Sequence, residues 1–250
     1  MSDSTPPALA APPPALLAGA ALFLDFDGTL VPITDRPDGV QVDGDLLALL
    51  HRLRDRLNGR LAIVSGRSVA TLRGLGFDDF LLAGTHGLEF ARPGCPAHAP
   101  SRLAAIDAAE AAMEAFIADK PGLLVERKSI SVALHFRAAP QWAAACETVA
   151  TRLAVDGLVI QHGKMLFELR PGGADKGSAV QALMRDAPMA GGVPLFIGDD
   201  VTDEAGFAAA ADLGGAGILV GAQRSTRAAW GLEQVAAVRH YLTEGVAAHI

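Results

Sequence analysis

Five short, uncharged apolar runs lie near the two ends of the chain, and each is followed directly by a glycine or a polar residue. They cover residues 21–24, 61–64, 80–83, 193–197 and 217–220. Runs of this length without charges are typical of strands buried on both faces. Between the first two, Asp43 can cap a helix whose leucines at 46, 49, 50, 53 and 57 recur at helical spacing, and Asn58-Gly59 can end it. Strands that alternate with helices predict a parallel α/β sheet.

The middle of the chain has a different pattern. Residues 103–116 and 141–153 read as helices, whereas two strands are predicted within 123–137 and two more at 158–160 and 164–170. Apolar and polar residues alternate in these strands, which indicates a sheet with one covered face. The pattern predicts a small α/β cap over residues 103–170, able to act as a lid, inserted into a core of residues 19–102 and 171–250. Residues 1–18, rich in proline and alanine, are expected to form a disordered tail.

Composition narrows the class of protein. The chain has 250 residues, half of them hydrophobic, and a formal net charge of -7. An acidic chain argues against nucleic acid as the main partner, because binding a phosphate backbone needs a basic surface. No segment has the length of a membrane span, and the N-terminus lacks a signal-peptide pattern. Cys95 and Cys146 lie far apart without metal-ligand spacing. We therefore expect a cytoplasmic protein without a disulfide, a zinc site or a membrane partner.

Polar side chains follow the predicted core strands at one edge of the sheet. Asp25 and Asp27 come after the first strand, Ser65 after the second, and Asp199, Asp200 and Asp203 after the fourth. The carboxyl edge of a parallel sheet is where ligands bind in such folds. Alternate residues of an extended segment point the same way, so Asp25 and Asp27 can address one bound group, and their oxygens suit Mg²⁺.

Two other interpretations of the segment around Asp25 are a plain turn after a strand and part of a calcium-binding loop. Residues 30–33 supply none of the further ligands that such a loop needs.

Lys176 is a second, independent indication of an anion-binding site, because Asp175 can cap a helix of which Lys176 is the first residue. A cation gains nothing from the dipole at that helix end, which indicates a nearby anion. The alternative for Lys176 is an ordinary solvated lysine.

Four separate motifs together resemble those of the haloacid dehalogenase-like phosphatases. They stand here as Asp25-Phe26-Asp27-Gly28-Thr29, Ser65, Lys176 and Gly198-Asp199-Asp200-Val201-Thr202-Asp203. Within that superfamily, the segments at 64–67, 83–89, 163–164, 168–171 and 198–204 are similar to those of trehalose-6-phosphate phosphatases. The resemblance covers nearly all of the chain after Pro14. It implies a Rossmann-like parallel-sheet core with an inserted α/β cap of the C2 type.

The resemblance also implies roles for the core residues. Asp25 would be the nucleophile that forms an aspartyl-phosphate, and Asp27 the general acid and base. Mg²⁺ would be held by Asp25, Asp199 and the backbone carbonyl of Asp27, while Asp200 and Asp203 would hold metal-bound water or orient Lys176. The phosphate group would be bound by Thr29, Ser65 and Lys176.

Sugar recognition is expected in the cap. The alternation places Lys164, Glu168 and Arg170 on one strand face, for which an ordinary solvent face is the alternative from the pattern alone. By the resemblance, Lys164 and Glu168 bind sugar hydroxyls, with Glu126, Lys128 and Arg170 as further candidates. His86 and Gly87 are expected at the junction of core and cap, where a purely structural histidine is the alternative.

The sequence thus predicts a monomeric, Mg²⁺-dependent phosphatase that hydrolyses trehalose 6-phosphate to trehalose and phosphate. Within the same chemistry, sucrose phosphate and mannosyl-3-phosphoglycerate are alternative substrates. A non-catalytic sugar-phosphate sensor on the same fold is an alternative from another class. The presence of both Asp25 and Asp27 argues against the sensor, because a binding module needs no nucleophile.

Overall fold

The computed structural model describes residues 9–34 and 39–247, which contain two sheets. The described residues up to His98 and those from Ala174 onward form one compact unit, the core unit, and Ala99–Gly173 form a second, the cap unit. The strands are β1 (Ala20–Leu24), β2 (Leu61–Val64), β3 (Leu81–Gly84), β4 (Glu89–Ala91), β5 (Leu124–Arg127), β6 (Val132–His135), β7 (Leu158–Gly163), β8 (Leu166–Pro171), β9 (Val193–Gly198), β10 (Ala216–Val220) and β11 (Trp230–Leu232). The α-helices are α1 (Gly44–Arg56), α2 (Val69–Gly74), α3 (Ala104–Ile117), α4 (Ala143–Leu153), α5 (Lys176–Leu183), α6 (Glu204–Asp212) and α7 (Val235–Ala247).

The core unit is built on a seven-stranded sheet in the order β11-β10-β9-β1-β2-β3-β4. All neighbouring strands run parallel except β3 and β4, which pair antiparallel. The predicted parallel α/β sheet is therefore confirmed. Strand β1 lies in its centre, between β9 and β2, so the residues that follow it stand at the middle of the carboxyl edge.

Both faces of the core sheet are covered. From β1, Leu22 and Leu24 point into an apolar cluster shared with α1 and α7, whereas Phe23 points into a second cluster that includes residues of α5 and α6. Phe23 stacks on Phe196 of β9, and Phe207 of α6 meets Phe196 edge-on. Burial on both sides explains why the core strands carry no alternating polar residues.

Helix α1 forms where the leucine spacing predicts it. The Asp43 side chain accepts a hydrogen bond from the Leu46 amide at 2.7 Å, which caps the first turn. The helix stops before Asn58 and Gly59, which both have positive φ, and the Gly59 amide returns to the Arg54 carbonyl at 2.8 Å. This geometry fixes where the chain turns back into β2.

The cap unit holds a four-stranded antiparallel sheet in the order β5-β6-β8-β7. Its apolar face contributes Val132, Leu134, Phe167 and Leu169 to a cluster that also contains Ile106 and Met113 of α3 and Cys146 and Ala150 of α4. The register places Glu126, Ala133, Glu168 and Gln161 opposite one another across the four strands. These four residues therefore share the other face of the sheet.

Part of the N-terminal segment is ordered, whereas disorder was predicted for it. Residues 1–8 lie outside the described part of the chain, but Pro14–Leu17 form a 3₁₀ turn and Leu17 is fully buried. The Tyr241 hydroxyl of α7 donates to the Pro13 carbonyl at 3.4 Å, and the Gly231 amide donates to the Ala10 carbonyl at 3.0 Å. Disorder was expected from the proline- and alanine-rich composition, and neither α7 nor β11, which receive this segment, was predicted.

No α-helix in residues 9–34 and 39–247 combines the length and the apolar character that crossing a membrane requires.

Candidate active site

Adjacent strand ends bring the predicted core residues together. Asp25 follows β1, Ser65 follows β2 and Asp199 follows β9, and both β2 and β9 are hydrogen-bonded neighbours of β1. Lys176 is the first residue of α5, and Asp175 caps that helix by accepting from the Ser178 amide at 2.7 Å. The predicted cap at Asp175 is confirmed, and it aims the first turn of α5 toward the same edge.

The centre of the site is a buried ion pair shared by two carboxylates. The Lys176 Nζ atom lies 2.7 Å from Asp25 Oδ1 and 2.6 Å from Asp203 Oδ1. All three side chains are at most 5% exposed. The alternative interpretation of Lys176 as a solvated surface lysine is therefore wrong. The anion that offsets its unfavourable place at a helix start is supplied by two aspartates of the protein.

Burial and like charges shift the ionisation of these groups. Burial raises the pKa of Asp25 well above its usual range; Lys176 opposes this, and Asp203 and Asp199 reinforce it. Burial raises the pKa of Asp199 to about 6, with a further rise from Asp203. Burial alone would lower the pKa of Lys176, but the attraction of Asp203 and Asp25 outweighs it and the pKa is raised. The lysine therefore stays charged, while the carboxylates repel one another.

The site fits a small hard cation. Carboxylate oxygens of Asp25, Asp199 and Asp203 lie within 4.8 Å of one another. These three residues are called the acidic centre below. Asp199 Oδ1 is buried and accepts no hydrogen bond from any residue in the described part of the chain. Three carboxylates face one ammonium, and an orphaned buried oxygen is open to a further positive ligand. Oxygen-only donors of this kind are those that Mg²⁺ takes.

Gly28 is required by the approach of Asp199. Its φ is +84°, and a Cβ atom placed on it would lie 2.1 Å from Asp199 Oδ2. Any larger residue would displace the carboxylate that follows β9. The glycine of the Asp-Phe-Asp-Gly segment thus keeps open the space between the ends of β1 and β9.

Asp200 and Asp203 belong to one tight turn. The Asp200 side chain accepts from the Val201 amide at 2.6 Å, and Asp203 Oδ2 accepts from the Asp200 amide at 2.9 Å. Asp203 is fully buried, and its Oδ1 accepts from Lys176 at 2.6 Å. Asp200 is exposed and acts in this structure as the cap of the turn.

Thr29 and Ser65, predicted to bind phosphate, are both buried. The Thr29 hydroxyl donates to Asp25 Oδ2 at 3.3 Å, so Asp25 is held at both oxygens. Ser65 Oγ accepts from the Arg67 amide at 3.1 Å. Thr29 thus contacts the acidic centre directly, whereas Ser65 stands at the end of the neighbouring strand.

Asp27 is held by an arginine to which the sequence analysis assigned no role. Arg67 Nε and Nη2 lie 2.7 and 2.8 Å from the two Asp27 oxygens, and the guanidinium stacks over Phe26. The Asp27 side chain is therefore engaged in a two-bond pair and is not among the carboxylates clustered near Asp199. An arginine two residues beyond Ser65, at the end of the strand next to Asp25, is the signal that could have indicated this partner.

His86 and Gly87 lie in the core unit, in a turn after β3 in which Thr85, His86 and Gly87 all have positive φ. A Cβ atom on Gly66 would lie 2.6 Å from His86 Nε2, so the imidazole packs against the loop that follows Ser65. A Cβ atom on Gly87 would lie 2.6 Å from the Asp175 carbonyl oxygen. Gly87 thus allows this turn to approach the start of α5.

In the cap unit, Glu168 is the centre of a buried polar group. Its Oε1 accepts from the Ser131 hydroxyl at 2.6 Å, and its Oε2 lies 2.7 Å from Lys128 Nζ. Glu168 and Arg170 are 2% and 6% exposed, so the alternative of an ordinary solvent face is wrong for these two residues. Ser131 was not among the residues predicted to form this site.

Two further pairs extend the polar face of the cap sheet. Glu126 Oε2 lies 2.7 Å from His135 Nε2, and Arg170 Nη2 donates to Gln161 Oε1 at 3.4 Å. Together with Lys128 and Glu168, the predicted residues Glu126 and Arg170 thus occur on one surface.

Lys164 does not share a strand face with Glu168 and Arg170. Strand β8 begins at Leu166, and Lys164 lies with Met165 in the two-residue turn between β7 and β8. Met165, the second central residue, has a φ of 66°, whereas Lys164 has no positive φ, and this combination is the pattern of a type II turn. The side chain of Lys164 is exposed, and its carbonyl accepts from Arg137 at 3.2 Å. The predicted strand start at residue 164 was wrong because the turn carries no glycine, proline or asparagine in its two central positions.

Comparison with known proteins decides the family. The family model described as Trehalose-phosphatase matches residues 23–235. This chain belongs to the trehalose-phosphatase family. The match extends from β1 through the whole cap unit to the start of α7, so it includes every residue of the acidic centre.

Individual relatives agree with the family model. The chain is 38% identical over 235 residues to the trehalose-6-phosphate phosphatase of Escherichia coli (strain K12), with 92% of this chain and 87% of the relative covered. It is 40% identical over 211 residues to a probable trehalose-phosphate phosphatase of Sinorhizobium fredii (strain NBRC 101917 / NGR234), with 80% and 77% covered.

Solved structures confirm the fold. A crystal structure of a trehalose-6-phosphate phosphatase related protein has a TM-score of 0.75 at 29% identity, with 91% of this chain and 97% of the other covered. The C-terminal domain of a C. albicans trehalose-6-phosphate phosphatase has a TM-score of 0.81 at 22% identity, with 96% and 98% covered. The expected haloacid dehalogenase-like architecture, a parallel-sheet core with an α/β cap, is confirmed.

Proposed function

We propose that this protein is a Mg²⁺-dependent phosphatase that hydrolyses trehalose 6-phosphate to trehalose and phosphate. The observation that carries the proposal is the buried Asp25, held by Lys176 and flanked by Asp199 and Asp203, in a chain of the trehalose-phosphatase family. A sugar-phosphate sensor would have no need of a nucleophile placed in this way.

Asp25 is the proposed nucleophile. One of its oxygens bonds to phosphorus while the bond from phosphorus to the sugar oxygen breaks, which leaves an aspartyl-phosphate and an alcohol. Water then attacks phosphorus and restores the carboxylate. Lys176 and Thr29 already hold the two Asp25 oxygens, so the attacking group is oriented before substrate arrives.

Asp27 is the proposed proton carrier. It gives a proton to the departing sugar oxygen in the first step and takes one from the attacking water in the second. In the resting site both of its oxygens accept from Arg67, so Asp27 must leave this pair and take up a proton before it can act as the acid.

Asp25, Asp199 and the Asp27 backbone carbonyl would hold Mg²⁺. When bound, the ion neutralises charge between the phosphate and the attacking carboxylate. Asp203 stays with Lys176, and Ser65 and Lys176 contribute donors for the phosphate oxygens.

The polar face of the cap sheet is the proposed sugar-recognition surface. Glu168, Lys128, Glu126 and Arg170 present carboxylates and cations that can bind sugar hydroxyls. Lys128 and Glu168 hold each other in place, whereas Glu126 is held by His135 and Arg170 bonds to Gln161. Lys164 contributes from its exposed turn. Charged groups bind neutral hydroxyls more strongly than neutral groups do, which suits a substrate rich in hydroxyls.

A panel of phosphate esters tests the activity. Phosphate release is measured with trehalose 6-phosphate, sucrose 6-phosphate, mannosyl-3-phosphoglycerate and an aryl phosphate, with Mg²⁺ and with excess chelator. We expect the highest kcat/KM for trehalose 6-phosphate and no turnover with chelator. Asp25→Asn gives the background rate, since an amide cannot attack phosphorus. A higher kcat/KM for another ester would replace the trehalose assignment, and binding without turnover would support a sensor.

A cap variant separates recognition from chemistry. Glu168→Ala is expected to lower kcat/KM for trehalose 6-phosphate by roughly tenfold to a thousandfold, the loss of one or two charged hydrogen bonds. Hydrolysis of the aryl phosphate, which has no sugar, should change little. Glu147→Ala is the matched control, because Glu147 is an exposed residue of α4 on the cap. Equal losses on both substrates would show that Glu168 supports the fold rather than the sugar.

A further inference from the structure

Arg102 binds one turn of the cap unit through several hydrogen bonds. Its guanidinium donates to the backbone carbonyls of Lys128 at 2.7 Å, Ser131 at 3.0 Å and Ser129 at 3.5 Å. The same group pairs with Asp107 at 2.7 Å and with Glu110, both on α3. Its side chain is only 14% exposed. One guanidinium thus joins the turn between β5 and β6 to the helix behind it.

This turn carries the two partners of Glu168. Lys128 and Ser131 stand at its two ends, and the Lys128 amide closes it by donating to the Ser131 carbonyl at 3.1 Å. Their side chains bind the two oxygens of Glu168. Any shift of the turn backbone would move both partners away from the carboxylate together.

We propose that Arg102 is a positioning residue for sugar recognition, acting through Lys128 and Ser131 on Glu168. The inference rests on the proposed function of the cap face. The guanidinium suits the task because its planar fork can donate to several acceptors at once, to carbonyls on one edge and carboxylates on the other. An ammonium group has the same charge but no such fork.

Arg127 provides a matched control for charge. It also pairs with Glu110, at 2.9 Å, and lies near Asp107, but its side chain is 63% exposed. Within the described residues, none of its hydrogen bonds outside the sheet ladder reaches the turn. Removing Arg127 therefore removes a cation from the same carboxylates without releasing the turn.

The experiment is a double-mutant cycle on kcat/KM. Arg102→Gln, Glu168→Ala and the double variant are assayed with an aryl phosphate and with the sugar phosphate that the wild type hydrolyses best in the panel. Using that substrate keeps the test valid if the trehalose assignment fails. Arg127→Gln is the control, and thermal unfolding of every variant checks the fold. Arg102→Lys carries the test if Arg102→Gln does not fold.

We expect Arg102→Gln to lower kcat/KM for the sugar phosphate about tenfold, mainly through KM, and to leave the aryl phosphate within about twofold. Arg127→Gln should leave both substrates unchanged. In the Glu168→Ala background, Arg102→Gln should cause no further loss, because the residue on which it acts is gone. Equal losses in both backgrounds, equal losses on both substrates, or no loss at all would each overturn the proposal.

Discussion

Asp199 is expected to reduce the stability of the metal-free protein. Burial raises its pKa from 3.8 to about 6, so the folded state binds this proton more tightly than the unfolded chain does. The free energy of unfolding therefore falls as pH rises from about 4 to about 6 and stays low above that range. The difference between the two pKa values corresponds to about 3 kcal/mol at neutral pH. Asp199→Asn, which nearly keeps the shape and removes the charge, should recover up to that amount.

Urea unfolding measures the effect directly. Wild type and Asp199→Asn are compared in excess chelator at pH 5 and pH 7.5, and again at pH 7.5 with Mg²⁺. In chelator, the variant should be more stable at both values, with roughly half of the pH 7.5 difference at pH 5. Mg²⁺ should stabilise the wild type and have little effect on the variant, because a ligand stabilises only the form that binds it.

One outcome would refute this reasoning. If Asp199→Asn unfolds at lower urea than the wild type in chelator at pH 7.5, burial and the neighbouring carboxylates do not make the charged form of Asp199 destabilising. Asp79→Asn serves as the control, since Asp79 is an exposed aspartate of the core unit and its replacement should change stability little.

Two other variants test the same centre, one by removing its lysine and one by crowding Asp199. Lys176→Met should destabilise the protein by about 3–5 kcal/mol in urea unfolding, because it leaves two buried carboxylates without a cation; an unchanged urea midpoint would contradict the ion pair. Gly28→Ala should weaken Mg²⁺ binding measured by calorimetry, since its Cβ would collide with Asp199. Gly19→Ala is the matched control, with a similar φ of +72° and no atom within 4 Å of the added Cβ. Equal Mg²⁺ affinities of the two alanine variants would show that the collision with Asp199 does not affect the cation site.

Local sequence signals predicted most of the fold. The buried strands of the core and helix α1 follow from apolar runs and from the Asp43 cap, which act over a few residues. The N-terminal segment and β11 escaped prediction because their order depends on distant partners, such as the contact of Tyr241 with Pro13. A three-residue strand like β4 has too few positions to show a period.

The aspartates of the acidic centre were predicted from the sequence, but the arginine contacts to Asp27 and to the turn of Lys128 were not. Aspartates at strand ends are visible in sequence, because a parallel sheet brings such ends to one edge. The pairing of Asp27 with Arg67 and the link from Arg102 to the turn of Lys128 join residues about 26 to 40 positions apart. Many arginines are available to any carboxylate, so only the folded backbone selects the partner.

The backbone hydrogen bond from Asp25 to β9 affects how the site responds to heating. The Asp25 amide donates to the Ile197 carbonyl at 2.9 Å, which continues the β1–β9 ladder to the proposed nucleophile itself. Asp199 lies only two residues beyond Ile197, so both ends of the carboxylate pair are anchored in the middle of the sheet. On warming, the spacing of Asp25 and Asp199 should therefore persist for as long as the central strands β1 and β9 stay paired, because it is set by backbone hydrogen bonds and not by side-chain contacts alone.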